Sequence, residues 1–164
     1  MENFTSFKNQ IEDLANKILN QHNLRVYEIN NFQDFESDVI QILVEDQTQP
    51  NKPLSFDILL LVNEDLSTMM DDIKGIDNQY LLEVASAGIE KPIRNEKELV
   101  QAIDQYVHIE FHQMINKIKS LDGTIISYDE KDKTFKIAFF VKGQKKQIDF
   151  TWELIQQVRY AVKF

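Results

Sequence analysis

The spacing of apolar residues changes along this chain, and that change limits the folds open to it. Before residue 75, two segments repeat their apolar residues at intervals of three and four, the pattern of amphipathic helices. After residue 106, apolar residues recur at every second position, the pattern of half-buried strands. The sequence therefore predicts an α+β protein of two domains, with the boundary near residue 90.

The two helical segments carry recognisable boundaries. The first, over residues 4–18, runs into an asparagine-rich stretch at 20–23, where Asn tolerates the left-handed conformation of a helix exit. The second starts after Ser55, which suits an N-cap, and ends before Gly75. The two apolar stripes are Phe4, Phe7, Ile11, Leu14 and Ile18, and Leu59, Val62, Leu66, Met69 and Ile73.

Short segments rich in β-branched residues lie around these helices. Residues 24–29, 39–45 and 80–86 have this composition and predict three strands. A proline-containing loop at 46–55 precedes the second helix. Residues 1–90 are therefore predicted to form an α-β-β-α-β domain, a small mixed sheet with both helices on one face.

Residues 91–164 follow a different plan. Asn95 and Glu98 have the spacing of a capping box, which predicts a short helix through about residue 103. Beyond it, alternating apolar positions predict four or five antiparallel strands, with turns at Gly123, where a bulge is the alternative, and at Gly143. So many short strands favour a small closed barrel, because closure removes exposed strand edges.

The net charge of −9 is unevenly divided between the two domains. Residues 1–90 carry 5 basic and 17 acidic side chains, net −12, whereas residues 91–164 carry 13 basic and 10 acidic ones, net +3. Because phosphate affinity comes from cations, this division indicates two surfaces with different partners. The longest apolar run, 58–62, is too short to span a bilayer, so we expect a cytoplasmic protein that does not associate with membranes.

Composition excludes several classes of chemistry. Without cysteine the chain has no disulfide framework, no thiolate nucleophile and no Cys-containing metal site. Neighbouring glycines are 13 or more positions apart. This spacing excludes a P-loop, a dinucleotide-binding fingerprint and a GXXG nucleotide clamp.

Two groups of side chains come closest to a catalytic constellation. On a strand, His108, Glu110 and His112 project from one face, but the histidines then lie about 13 Å apart, too far for one metal ion. Ser86 lacks the preceding glycine of a nucleophile elbow and is expected to bond its own turn. A solvated face is favoured over a metal site. Glu83 either faces outward from a half-covered sheet or is a partly buried, paired carboxylate.

Basic and aromatic residues are interleaved in the second domain, as in many nucleic-acid-binding surfaces. The period-two pattern assigns Phe135, Phe139 and Tyr160 to the core, however, and leaves Phe140 as the exposed aromatic. Both an RNA-contacting patch and a merely solvated surface fit this pattern.

Residues 80–93 resemble the signature of the RimP family of bacterial ribosome maturation factors, which reads approximately Y-x-L-E-V-S-S-P-G-[LI]-[DE]-[RK]-P-[LI]. Ala85 and Ala87 depart from it, replacing a serine and a proline. The order of elements is also similar, since family members have an α-β-β-α-β first domain and an SH3-like or Sm-like five-stranded second barrel. The matching positions are Tyr80, Leu82, Glu83, Val84, Ser86, Gly88, Ile89, Glu90, Lys91, Pro92 and Ile93.

The resemblance implies a monomeric, non-enzymatic assembly factor, without cofactor or metal, that binds the free small (30S) ribosomal subunit through ribosomal protein and rRNA. The acidic first domain would meet basic ribosomal protein, while basic residues approach rRNA phosphates. The candidate ribosome-binding residues are Lys91, Arg94, Lys142, Lys145 and Lys146.

Two other classes of function stay open. An acidic adaptor with an SH3-like module would bind peptides in a groove of exposed aromatic residues. A small hydrolase would use Ser86, or a metal held by the histidines at 108 and 112 with Glu110.

Overall fold

A computed structural model describes residues 3–76 and 79–163. The chain divides into two compact units, Met1–Gly88 and Ile89–Phe164. The first holds a three-stranded mixed sheet with two helices, and the second holds a five-stranded antiparallel sheet with one short helix. The predicted α+β class is therefore confirmed. Within the described ranges, no helix is both long and apolar enough to cross a membrane.

Both helices of the first unit begin and end near their predicted positions. Helix α1 spans Phe4–Leu19 and leads through a short 3₁₀ turn to Asn23, whose φ of 57° is the left-handed conformation expected there. Helix α2 spans Phe56–Asp71. Its predicted N-cap is confirmed, because Ser55 Oγ accepts a hydrogen bond from the backbone N–H of Ile58 at 3.3 Å.

The sheet of the first unit has the strand order β1-β2-β3. Strands β1 (Leu24–Asp34) and β2 (Ser37–Asp46) form an antiparallel hairpin, and β3 (Leu81–Ser86) lies parallel to β2. The hairpin is longer than the predicted segments, and it turns at Phe35 and Glu36.

The covered face of this sheet is identified by alternation along its strands. Ile40, Ile42 and Val44 of β2 are buried in one cluster with residues of both helices, each such burial stabilising the fold by about 1.5–3 kcal/mol. Glu83 of β3 is exposed and accepts a hydrogen bond from Gln41 Nε2 at 3.3 Å. Both helices therefore lie on one face, as predicted, and Glu83 faces outward.

The second unit begins with helix α3 (Glu96–Gln101), which ends slightly before the predicted limit. Asn95 caps it as predicted, because its side chain accepts a hydrogen bond from the backbone N–H of Glu98 at 2.9 Å. The strands that follow pair antiparallel in the order β7-β6-β5-β4-β8. They are β4 (Tyr106–Ile115), β5 (Ile118–Asp129), β6 (Thr134–Val141), β7 (Gln144–Thr151) and β8 (Ile155–Tyr160).

The predicted closed barrel is not confirmed, because this sheet is open. Strands β7 and β8 are its two edges, and no pairing joins them in the described part of the chain. Phe111 of β4 and Phe150 of β7 nevertheless have ring centroids 5.6 Å apart, whereas strands three places apart in a flat sheet are separated by about 14 Å. The sheet is therefore strongly curled, and its inner face is buried together with residues of α3 such as Leu99.

The two glycines predicted to mark turns have different roles. Gly143 turns the chain between β6 and β7 as predicted, with φ of 79° beside 50° at Lys142. Gly123 lies inside β5 in regular register opposite Val107, so the turn or bulge predicted there is wrong. A Cβ at Gly123 would collide with the carbonyl oxygen of Ala138, so this glycine permits close approach of β6.

Candidate functional site

The signature residues 80–93 occupy β3 and the segment that leads into the second unit. Leu82 and Val84 pack against the core of the first unit, while Glu83 between them faces outward. Ser86 Oγ accepts a hydrogen bond from the backbone N–H of Gly88 at 3.1 Å. Since Gly88 has φ of 88°, the serine and the glycine together form the turn that ends β3, which is the role predicted for Ser86.

Lys91 does not occupy the exposed position that phosphate contact requires. Its residue surface is 6% exposed, and its Nζ lies 5.0 Å from the ring centroid of Tyr160. Its carbonyl accepts the N–H of Tyr160 at 3.1 Å, and the N–H of Ile93 donates to the Val158 carbonyl at 2.9 Å. This segment therefore lines the outer edge of β8, and Lys91 is corrected from a candidate rRNA contact to a structural residue.

Arg94 is exposed but paired. Its Nη2 lies 2.8 Å from Glu98 Oε1, and its backbone N–H donates to Glu98 Oε2 at 2.8 Å. An ion pair four residues apart at the surface contributes little to stability, but it offsets the charge that Arg94 offers to a partner. Arg94 is therefore a weaker candidate than the lysines of the β6–β7 hairpin.

The other three candidate lysines lie together on the β6–β7 hairpin. Lys142 is in the turn, Lys145 is directly opposite Phe140, and Lys146 is directly opposite Phe139. All three lysines are exposed, and within residues 3–76 and 79–163 none of them forms an ion pair. They are free to neutralise an anionic partner.

Two further lysines belong to the same end of the sheet, although the sequence pattern did not group them. In an antiparallel meander, alternate turns lie at the same end, so the β4–β5 turn at Asn116 and Lys117 shares an end with the β6–β7 turn. Lys119 follows that turn, and its Nζ donates to the carbonyl of His112 at 2.6 Å. We call Lys117, Lys119, Lys142, Lys145 and Lys146 the lysine end.

The opposite end of the sheet has mixed charge. Its β5–β6 turn, 129–133, contains three acidic residues and two lysines, Lys131 and Lys133. Asp129 Oδ1 accepts the backbone N–H of Lys131 at 2.9 Å, which organises the turn internally. The positive charge of the second unit is thus concentrated at the lysine end.

The first unit has an acidic cleft with a volume of about 540 Å³. Glu36, Asp38 and Asp71 line it together with Leu81, where the hairpin tip, the C-terminal end of α2 and the start of β3 meet. A hydrogen bond from the Asn31 amide lowers the pKa of Asp38 below its usual range, because it stabilises the ionised carboxylate. The carbonyls at the C-terminal end of α2 add further negative potential.

Phe35 stands beside this cleft at the tip of the hairpin. It is 97% exposed and has a φ of 55°, a conformation that a bulky residue seldom adopts. Acidic residues precede and follow it at positions 34 and 36. An exposed apolar side chain among carboxylates suits a partner segment that combines basic and apolar residues.

The histidine cluster does not form a metal centre. His108 Nδ1 lies 2.5 Å from Asp122 Oδ1, and its Nε2 lies 3.4 Å from Glu110 Oε1. Glu110 also accepts a hydrogen bond from Gln157. His112 is outside this network, and among the residues that the structure describes no three His, Cys, Asp or Glu side chains are arranged to hold a metal ion.

Comparison with known proteins gives the family. Residues 14–90 match the family model of the RimP N-terminal domain. The ribosome maturation factor RimP of Mesoplasma florum is 51% identical over 164 residues, which is 100% of both chains. The chain belongs to the RimP family. The resemblance seen in residues 80–93 is thereby confirmed.

The match to the RimP N-terminal domain ends at residue 90, close to the boundary between the two compact units. Membership of the second unit in the RimP family rests on the M. florum relative, which aligns with every residue of this chain. The lysine end therefore lies beyond the residues that match the model of the RimP N-terminal domain.

Proposed function

We propose that this protein is a ribosome maturation factor that binds the free small (30S) ribosomal subunit as a monomer and catalyses no reaction itself. The observation that carries this proposal is the 51% identity, over its whole length, with a protein named ribosome maturation factor. The small subunit follows from the resemblance of residues 80–93. The site of action is the cytoplasm, where bacterial subunits assemble.

The acidic first unit contacts a basic ribosomal protein. The cleft lined by Glu36, Asp38 and Asp71 supports this contact, because a segment bearing Lys or Arg would find three carboxylates there. Phe35 and Leu81 add exposed apolar surface at its margin. Binding proteins commonly combine such apolar anchors with charge complementarity.

The lysine end of the second unit contacts rRNA. Its five cations are clustered, and each phosphate neutralised releases counterions, so their contribution depends strongly on salt. The curled five-stranded sheet that holds them corresponds to the SH3-like or Sm-like domain of the family, with β7 and β8 as open edges.

No specific observation favours the two other classes of function. The adaptor requires a groove of exposed aromatics, whereas Phe135, Phe139 and Tyr160 are buried, as the sequence predicts. In the hydrolase, Ser86 Oγ would be the nucleophile, but it is engaged with the backbone of Gly88.

Co-sedimentation of the purified protein with small subunits tests the rRNA contact. We expect the variant K142A/K145A/K146A to bind free small subunits more weakly and with a flatter dependence on salt, because it neutralises fewer phosphates. The matched control, K131A/K133A, removes lysines from the opposite end of the same sheet and should bind as the unmodified protein does. Unchanged affinity of the triple variant at every salt concentration would remove the lysine end from the interface.

A further inference from the structure

Phe140 is an unpaired aromatic side chain on the outer face of the second sheet. It is 65% exposed, whereas Phe139 beside it and Phe135 further along β6 are buried in the core. The alternation of β6 therefore directs Phe140 away from the core. Phe140 is not among the residues that form the core of the second unit.

The surroundings of Phe140 are cationic. Lys145 is directly opposite it on β7, and directly opposite residues of an antiparallel pair share one face with Cβ atoms about 5 Å apart. Lys142 follows two residues later in the turn. This turn has two residues, both with positive φ, a geometry that matches the twist of the strands and holds the hairpin in one shape.

We infer that Phe140 is a stacking platform for an unpaired RNA base, with Lys142 and Lys145 holding the phosphates beside it. This rests on the proposed function and specifies its RNA class as single-stranded. In a duplex both faces of a base are already stacked, so no free face reaches Phe140. A single strand can place a base on the ring while the adjacent cations neutralise its backbone.

The positive charge of the lysines and the exposed ring of Phe140 together favour RNA over an acidic protein segment as the partner. Lysines alone would serve either partner, but a flat, exposed aromatic ring between them matches the π-face of a base. Phe35 provides a contrast within the chain, because it is even more exposed than Phe140 but lies among acidic residues that repel phosphate.

Fluorescence anisotropy with labelled oligouridylate about twelve nucleotides long tests the inference on the full chain. We expect Phe140→Ala to weaken binding about tenfold with an unchanged salt slope, because Phe carries no charge. Phe140→Tyr should retain binding, whereas Phe140→Leu, which keeps apolar bulk without a π-face, should lose it as Phe140→Ala does. Lys145→Ala should flatten the slope of log K against log salt by about 0.7.

The control variant is Phe56→Ala, at a phenylalanine of the first unit that is 73% exposed, and it should bind oligouridylate as the unmodified protein does. Two further probes are an RNA duplex of equal length and polyglutamate, and neither should distinguish Phe140→Ala from the unmodified protein. The inference is overturned if the unmodified protein does not bind oligouridylate, if Phe140→Ala binds it normally, or if polyglutamate binding falls in parallel. The last outcome would assign the patch to an acidic protein.

Failure of this inference is distinguishable from failure of the proposed function. If Phe140→Ala and the unmodified protein bind oligouridylate equally, yet both sediment with free small subunits, the stacking platform is wrong and the maturation factor stands. If neither sediments with subunits, the proposed function fails whatever the oligonucleotide shows.

Discussion

Gly123 shows how one residue permits the close approach of two neighbouring strands in the second sheet. It lies in the interior of β5, where glycine ordinarily weakens a strand, but the backbone of β6 passes too close for any side chain. The nearest obstacle is the carbonyl oxygen of Ala138, which belongs to the paired backbone and cannot rotate away as a side chain could.

We therefore expect Gly123→Ala to destabilise the second unit by about 1–3 kcal/mol, the usual cost of an overpacked position. Trp152 is the sole tryptophan of the chain and lies in this unit, so its fluorescence during urea unfolding reports the change. Ser127→Ala, at an exposed position of the same strand, is the control. Equal stability of the two variants would show that β6 can move away.

Tyr128 gives the second unit a pH dependence. Its hydroxyl donates a hydrogen bond to Glu96 Oε1 at 2.8 Å and links β5 to α3. That hydrogen bond is the main cause that raises the pKa of Tyr128 from 10 to about 12, because it stabilises the protonated phenol. Since the folded pKa exceeds the unfolded one, the bond's contribution is complete below pH 10 and is lost as pH rises toward 12.

An NMR titration of the tyrosine Cζ resonances measures this directly. We expect Glu96→Ala to lower the pKa of Tyr128 toward 10, because the acceptor and its charge are both removed. Tyr128→Phe assigns the resonance. An unchanged pKa in Glu96→Ala would show that the hydrogen bond is not the cause.

Among the elements, those with a local start or stop signal could be predicted from the sequence. Ser55 and Asn95 cap their helices as expected because capping depends only on the next three residues. The turn at Phe35 and Glu36 could not be predicted, since neither residue favours turns. The turn lies there because β1 and β2 pair as far as Asp34 opposite Ser37.

The candidate site, like the fold, could be predicted from the sequence only in part. The three hairpin lysines are neighbours in sequence, so their clustering was visible, whereas Lys117 and Lys119 joined them only through the order of the strands. Lys91 was named as a candidate from its charge and its position in the chain, but it is buried, and Pro92 beside it pairs with Arg159 of β8. Neither the grouping of Lys117 and Lys119 with the hairpin lysines nor the burial of Lys91 has a local signal in the sequence.

Helix α3 allows its cap to be tested. We expect Asn95→Ala to destabilise the second unit by about 1 kcal/mol, because the backbone N–H of Glu98 loses its acceptor at the helix start. Lys97→Ala changes an exposed residue of the same helix outside the cap and should shift stability by less than about 0.5 kcal/mol. Urea unfolding followed by Trp152 fluorescence compares them, and equal effects would contradict a specific role for the cap.

For the whole molecule, the uneven distribution of charge between the two units indicates more about its binding partners than the net charge of −9 does. Carboxylates cluster at the cleft of the first unit, and lysines cluster at one end of the second sheet. A single chain can thus present one surface to a basic protein and another to RNA. Our central proposal is therefore that this protein binds the free small ribosomal subunit.

Sucrose-gradient sedimentation of cell extract, followed by detection of the protein in each fraction, tests that claim most directly. We expect the protein to migrate with free small subunits and to be depleted from large subunits and intact ribosomes. Raised salt should release it, because lysine–phosphate contacts weaken as counterions compete. Equal occupancy of free subunits and intact ribosomes, or absence from every ribosomal fraction at low salt, would contradict it.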